Sequence, residues 1–277
     1  MAFLFKEEEV ESVAALISQL KKDELRLRRT QNGKRKSEPR VWFRGLPDDS
    51  FLQVPTFYRK GYNIEAEIYM MNLFKQNSHE SLIQIPRSEW EWMFLMRHHN
   101  LPSRLLDWTE NPLVGLYFAV RSEEGKSTQD KDGVLWCLLP SRLNQWAIDW
   151  PDNDDTLPML TDSPDEYSRG ENESISLYSP SKMTGLPKGA TRIPAAGICA
   201  RTNRRMQVQM GVFTIHHANK DPLEKIKDGS HIWRYRIPAG RKNSIFKDLR
   251  RIGITELTLF PSLDNVASWA AELLKGD

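Results

Sequence analysis

The order of the apolar runs constrains this chain more than any single motif. Val10, Val13, Ala14, Ile17 and Leu20 recur at helical spacing, which predicts an amphipathic helix from 7 to about 29. Residues 40–45 (RVWFRG) then read as a short strand, stopped by Gly45 and Pro47. Segments 63–76 and 86–99 read as helices. So does 112–120, where the Asn-Pro start puts proline in the first turn and its missing N–H costs little. Strand-like runs follow at 133–139, 211–217, 231–237 and 254–260, and a closing helix at about 263–275. Helices early and strands late, interleaved only once or twice, argue for an α+β fold and against a regular βαβ alternation.

The 277 residues are 39% apolar and 10% aromatic, enough to bury a core, which excludes a wholly disordered chain. No apolar run approaches the roughly 20 residues of a membrane span. Lys6, Glu7, Glu8 and Glu9 follow only a few apolar residues, so the start does not read as a signal peptide. Cys137 and Cys199 cannot make a disulfide framework or a zinc site. The expectation is a cytoplasmic protein without a membrane or metal. It divides into an amino-terminal helix and basic loop (1–39) and one large domain (40–277) carrying an acidic insertion at about 148–190.

Charge is uneven. Segment 21–40 holds nine basic and three acidic residues, and 149–173 holds nine acidic residues against Arg169 alone. The first suits a phosphate backbone, an acidic partner or a solvated helix end. The second suits a surface insertion that could shield a basic face. A third run, 241–251, has five basic residues and one acidic. Basic segments interspersed with tryptophans would suit single-stranded nucleic acid, although Trp42, Trp136 and Trp233 sit inside apolar strands and read as core.

Several constellations are missing: G-x-G-x-x-G after a strand, G-x-x-x-x-G-K-[ST], H-E-x-x-H and C-x-x-C. His98 and His99 are adjacent on a predicted helix and point about 100° apart, poorly placed to share a metal. Two segments stand out. In the first, Arg44 ends an apolar strand just before Gly45, where a charge that cannot be neutralised needs an anion or a carboxylate such as Asp107. In the second, Ser103, Arg104, Asp107, Trp108, Thr109, Glu110 and Asn111 crowd ahead of an apolar helix, a density typical of a binding loop on a rigid element. Thr109, Glu110 or Asn111 can cap that helix.

Trp42-Phe43-Arg44-Gly45, then His98-His99, then Leu101-Pro102-Ser103-Arg104-Leu105-Leu106-Asp107-Trp108-Thr109-Glu110-Asn111-Pro112, resemble the FRG-domain family, named for its Phe-Arg-Gly signature. The resemblance extends from about Arg40 to Leu263. Arg97 stands where the family favours Gln, Ser103 where it favours Thr, and Asn100 where it favours Gly. Asparagine tolerates the left-handed backbone that glycine would serve.

A weaker similarity, of order and local pattern, is to ADP-ribosyltransferases of the Arg-Ser-Glu type. It implies a split mixed β-sheet core with flanking helices, and NAD as substrate. On this analogy Arg44, with Gly45, binds the phosphates, and Arg104, Asp107 and Thr109 belong to the cofactor cleft. Trp108 or Tyr117 supplies an aromatic plane. Glu256, on a strand whose Leu257 and Leu259 face the core, stabilises the ribose cation. Gln209, Arg204 and Arg205 would meet the acceptor, a nucleic acid such as RNA or a protein. The implied function is a toxin or antiviral effector with an inhibitory partner such as an antitoxin. The alternative is a non-catalytic nucleic-acid- or nucleotide-binding module in which Arg44 and Asp107 form a structural pair.

Overall fold

The structure, a computed structural model, describes residues 4–30, 39–82, 84–121, 128–151, 156–161, 174–184 and 191–273. Its strands are β1 (Glu8–Glu9), β2 (Trp42–Leu46), β3 (Leu105–Thr109), β4 (Gly133–Leu138), β5 (Ala195–Gly197), β6 (Gly211–Ile215) and β7 (Ile232–Ile237). They join in one sheet in the order β1-β7-β4-β2-β3-β6-β5. The β1–β7 pair is parallel and the others are antiparallel, so the sheet is mixed and the fold is α+β. The helices are α1 (Val13–Thr30), α2 (Thr56–Arg59), α3 (Ile64–Ser78), α4 (Glu89–His98), α5 (Pro112–Val120), α6 (Pro140–Ile148), α7 (Pro180–Met183), α8 (Arg204–Val208), α9 (Ala239–Arg251), α10 (Glu256–Leu259) and α11 (Leu263–Leu273).

Side chains of β4 alternate between two cores, as the pleat requires. Leu135 and Cys137 join Phe43, Leu16, Val114 and Leu249 in one cluster, and Val134, Trp136 and Leu138 join Trp42, Leu106 and Trp108 in another. A third cluster brings Trp90, Phe94 and Met96 of α4 against Leu105 and Phe213.

Helix α5 lies on β2 closely enough to explain Gly45. A Cβ there would sit 1.9 Å from the Gly115 carbonyl oxygen and 2.5 Å from the Ala119 nitrogen. Gly115 answers from the helix side, where a Cβ would come within 2.9 Å of Phe43 Cβ. The helix start is set by Asn111, whose side chain accepts the Leu113 N–H at 2.9 Å, followed by Pro112 in the first turn. Asn100 adopts φ +62°, the left-handed conformation expected of it.

Four expectations need correction. The first helix begins only at Val13, because Ser12 Oγ accepts the Ala15 N–H at 3.1 Å and starts it. Glu8 and Glu9, predicted helical, instead extend the sheet beside Tyr235 and Arg236. Likewise α4 begins at Glu89, where the Ser88 side chain accepts the Glu91 N–H at 3.1 Å.

The run 254–260 is not a strand. After α9, Gly253 turns left-handed at φ +86°, the Ile254 N–H returns to the Leu249 carbonyl and the Gly253 N–H to that of Arg250, a Schellman closure. Thr255 then caps a new turn of helix in a reciprocal box with Thr258. The alternating β-branched pattern is therefore a turn followed by a one-turn helix.

The acidic insertion is not wholly a surface feature. Its parts 156–161 and 174–184 bury Leu157, Leu160, Ile175 and Tyr178. Segments 152–155, 162–173 and 185–190 lie outside the described residues, as does the basic loop 31–38 with Lys34, Arg35 and Lys36. Among the described residues no helix is long and apolar enough to cross a membrane, and no cluster of His, Cys, Asp and Glu could hold a metal.

Candidate functional site: a guanidinium-lined cavity

The sheet opens beside β2. Along its other edge β2 pairs with β4 at every residue, but with β3 it shares only the register pair Phe43 opposite Thr109. A continued antiparallel ladder would bring Arg44 opposite Trp108. Instead the Arg44 guanidinium donates to the Asp107 carbonyl at 2.7 Å, satisfying a backbone acceptor where the ladder stops. A cavity of about 480 Å³ occupies this opening. Phe43 and Val114 of one core, and Phe94, Met206 and Phe213 of another, form its apolar walls.

Four arginines line it: Arg44 from β2, Arg97 from α4, Arg121 at the end of α5, and Arg205 from α8. Asp107 is the one carboxylate among its described lining residues. Arg97 Nε lies 3.1 Å and 3.0 Å from the two Asp107 oxygens, and its NH2 bonds Oδ2 as well. Asp107 in turn holds the Arg97 pKa above its usual value. Burial pushes the Asp107 carboxyl up, but Arg97, Arg44 and Arg205 outweigh this and hold it below the usual carboxylate range. Burial lowers Arg44 to about 10, which leaves it charged at neutral pH, and its sealed Nε has no hydrogen-bond partner. His98, also in the lining, is pushed down by burial and then by Arg205 and His99, so it is neutral at pH 7. The cavity thus holds four guanidinium charges against one carboxylate inside it, an arrangement suited to a multiply charged anion.

The residues singled out from sequence fall into three groups. Arg44, Gly45, Asp107, Thr109, Arg205 and Gln209 do line the cavity. Thr109 donates to the Gln209 carbonyl at 2.6 Å and accepts the Asn111 N–H at 3.0 Å. Gln209 Nε2 donates to the Leu259 carbonyl at 3.0 Å, tying α8 to α10. Trp108 touches the cavity, but its indole belongs to the core on the other face, with Nε1 donating to Thr214 Oγ1 at 3.0 Å.

Arg104, Tyr117, Arg204 and Glu256 are outside the lining. Arg104 is wholly buried in an ion pair with Glu67. Tyr117 packs in the core beside Phe246, and burial raises its phenol to about 12. Arg204 is exposed. Glu256 sits at the rim, exposed, with Oε1 3.0 Å from Arg121 NH2. Glu256 therefore reaches the cavity only through Arg121, which lines it together with Arg44.

Sequence reasoning missed Arg121, Phe118 and Phe260, noted Arg97 only as a departure from a pattern, and left His98 open. Helical spacing held the signal for most of these. Gly115, Phe118 and Arg121 share a face of α5 at i, i+3 and i+6, and Phe94, Arg97 and His98 share one of α4 at i, i+3 and i+4.

An α+β protein with a cation-rich, aromatic-walled cavity at a sheet opening is thus defined by its own geometry. In comparison with known families, residues 39–128 match the family model of the FRG domain. This segment contains β2, α4, β3 and α5, and so Arg44, Arg97, Asp107 and Arg121, whereas Arg205 and Phe260 lie beyond it. No curated protein and no solved structure matches the chain.

Proposed function

We propose that the cavity binds NAD through its pyrophosphate and that the protein transfers ADP-ribose to a macromolecular acceptor. One observation carries this reading: four guanidiniums converge on a cavity whose described lining residues include a single carboxylate, with aromatic walls beside them. Guanidinium forks match phosphate oxygens in pairs, and phenylalanine faces accept a planar heterocycle.

Transfer breaks the bond between ribose C1′ and the nicotinamide nitrogen. The bonding electrons leave with nicotinamide, which departs neutral. The acceptor forms the new bond to C1′ and gives up its proton. Positive charge develops on the ribose as the bond stretches, and a carboxylate beside it stabilises that charge. Glu256 is at the rim for this role and for receiving the acceptor's proton, while Asp107 is committed to Arg97. A nucleic-acid acceptor fits slightly better than a protein, because Arg204 and Arg251 are exposed on α8 and α9. Activity of this kind would suit a toxin or antiviral effector restrained by an inhibitory partner.

The test is Glu256→Gln with labelled NAD and cellular RNA and protein as acceptors. Label transfer is expected to fall on the order of a hundredfold or more, with NAD still bound. Equal labelling by the variant overturns the role of Glu256. A wild-type protein that binds NAD, labels nothing and releases no ADP-ribose is a nucleotide-binding module, a reading favoured by both carboxylates being held in ion pairs. Free ADP-ribose without a labelled acceptor marks a hydrolase.

A further inference from the structure

Two guanidiniums flank one ring at the cavity rim. The guanidinium carbon of Arg121 lies 4.9 Å from the centroid of Phe260, and that of Arg205 lies 4.8 Å from it. All three residues line the cavity. Arg121 is held by Glu256, whereas Arg205 has no carboxylate within ion-pair distance among the described residues and lies over the ring. Burial, Arg97 and Arg121 all weigh against the Arg205 charge, and only Asp107 favours it. The cations therefore form two sets. The inner set, Arg44 and Arg97, shares Asp107; in the outer set Glu256 pairs with Arg121, while Arg205 has no ion-pair partner among the described residues.

We infer that Arg121, Phe260 and Arg205 form a second anion subsite, so that the ligand carries two linked phosphates, and that filling this subsite displaces Glu256 from Arg121. The inference rests on the reading that the cavity takes a phosphate-bearing ligand, and it adds a regulation of that site. In the empty protein Glu256 is the competing anion. In the occupied protein its carboxylate is released at the rim, where transfer needs it. Arg121 holds Glu256 through one bond, NH2 to Oε1 at 3.0 Å, so a phosphate that takes this nitrogen displaces the carboxylate.

Inorganic pyrophosphate is the probe, titrated calorimetrically into the full chain at fixed ionic strength. Arg205→Ala is expected to weaken binding about tenfold or more, as loss of a charge-assisted bond does. Glu256→Gln is expected to tighten it about two- to fivefold, the worth of an exposed ion pair. That gain must vanish when Arg121→Gln is already present, since the cycle isolates the pair from the general field. Melting curves confirm that each variant is folded.

Unchanged affinity in Glu256→Gln, an equal gain in the Arg121→Gln background, or unchanged affinity in Arg205→Ala overturns the inference. Failure of the transfer reading is separate. If the pyrophosphate cycle holds but NAD is never turned over, the subsite stands and the transferase assignment falls.

Discussion

Arg104 and Asp107 stand three residues apart in one motif, and the fold treats them in opposite ways. Arg104 is fully buried, with Nε 2.7 Å from Glu67 Oε2 and its other nitrogens donating to the carbonyls of His216 (2.8 Å) and Tyr178 (2.7 Å). The Arg104 N–H also donates to Glu67 Oε1 at 3.2 Å. That network closes on itself: one cation, one anion, and backbone carbonyls for the remaining donors. Asp107 faces the cavity with 46% of its side chain accessible, among four guanidiniums. A satisfied charge pair holds structure together, whereas an unbalanced one awaits a ligand. Two charged side chains three residues apart, at and beside one strand, do these two jobs.

Acid should break this comparison most strongly, and on the closed side. His216, hydrogen-bonded through its backbone to Arg104, is pushed by burial to about 3, and His217 and His231 are pushed to about 4. The unfolded chain takes up these protons near pH 6.5, while the folded chain refuses them. Stability is therefore full above pH 6.5 and declines as pH falls toward 4, by about 1.4 kcal/mol per histidine for each pH unit between the two pKa values. Glu224, raised by burial, gains a proton in the folded state and offsets part of this. Thermal melts from pH 7.5 to 4 should show a steep fall; a flat profile would mean that these histidines are not held neutral.

Next comes Glu67→Gln, which leaves Arg104 charged, buried and short of its partner. A loss of about 3–5 kcal/mol in denaturant unfolding is expected, with pyrophosphate affinity of the folded fraction unchanged. The smallest effect belongs to the open side. Asp107→Asn removes a partly accessible partner of Arg97, and because solvent screens that pair, stability should move by less than about 1 kcal/mol. Anion binding should be no weaker. If Asp107→Asn destabilised as much as Glu67→Gln, the cavity charges would be structural and the contrast would fail.

Much of the site was legible before folding was considered. Arg44 beside Gly45, and the polar stretch into Pro112, marked both strands of the opening. Asn100 showed its left-handed turn through its residue type. The aromatic planes were harder to place because neighbours face opposite ways on a strand and point about 100° apart on a helix: the indole of Trp108 packs in the core on the other face, and Tyr117 packs in the core while Phe118 meets the cavity. Segment 254–260 misled because a Schellman turn followed by a one-turn helix copies strand alternation over seven residues.

By itself, the amino-acid order determined the α+β class, most elements and the pair of segments that build the opening, since periodicity, caps and turn residues act locally. Tertiary structure alone decided which charges are spent and which remain available. That outcome depends on partners far away in the chain: Glu67 reaches Arg104 across 37 residues, and Glu256 reaches Arg121 across 135. No local rule connects such positions, because their electrostatics depend on distances that exist only after the sheet has formed.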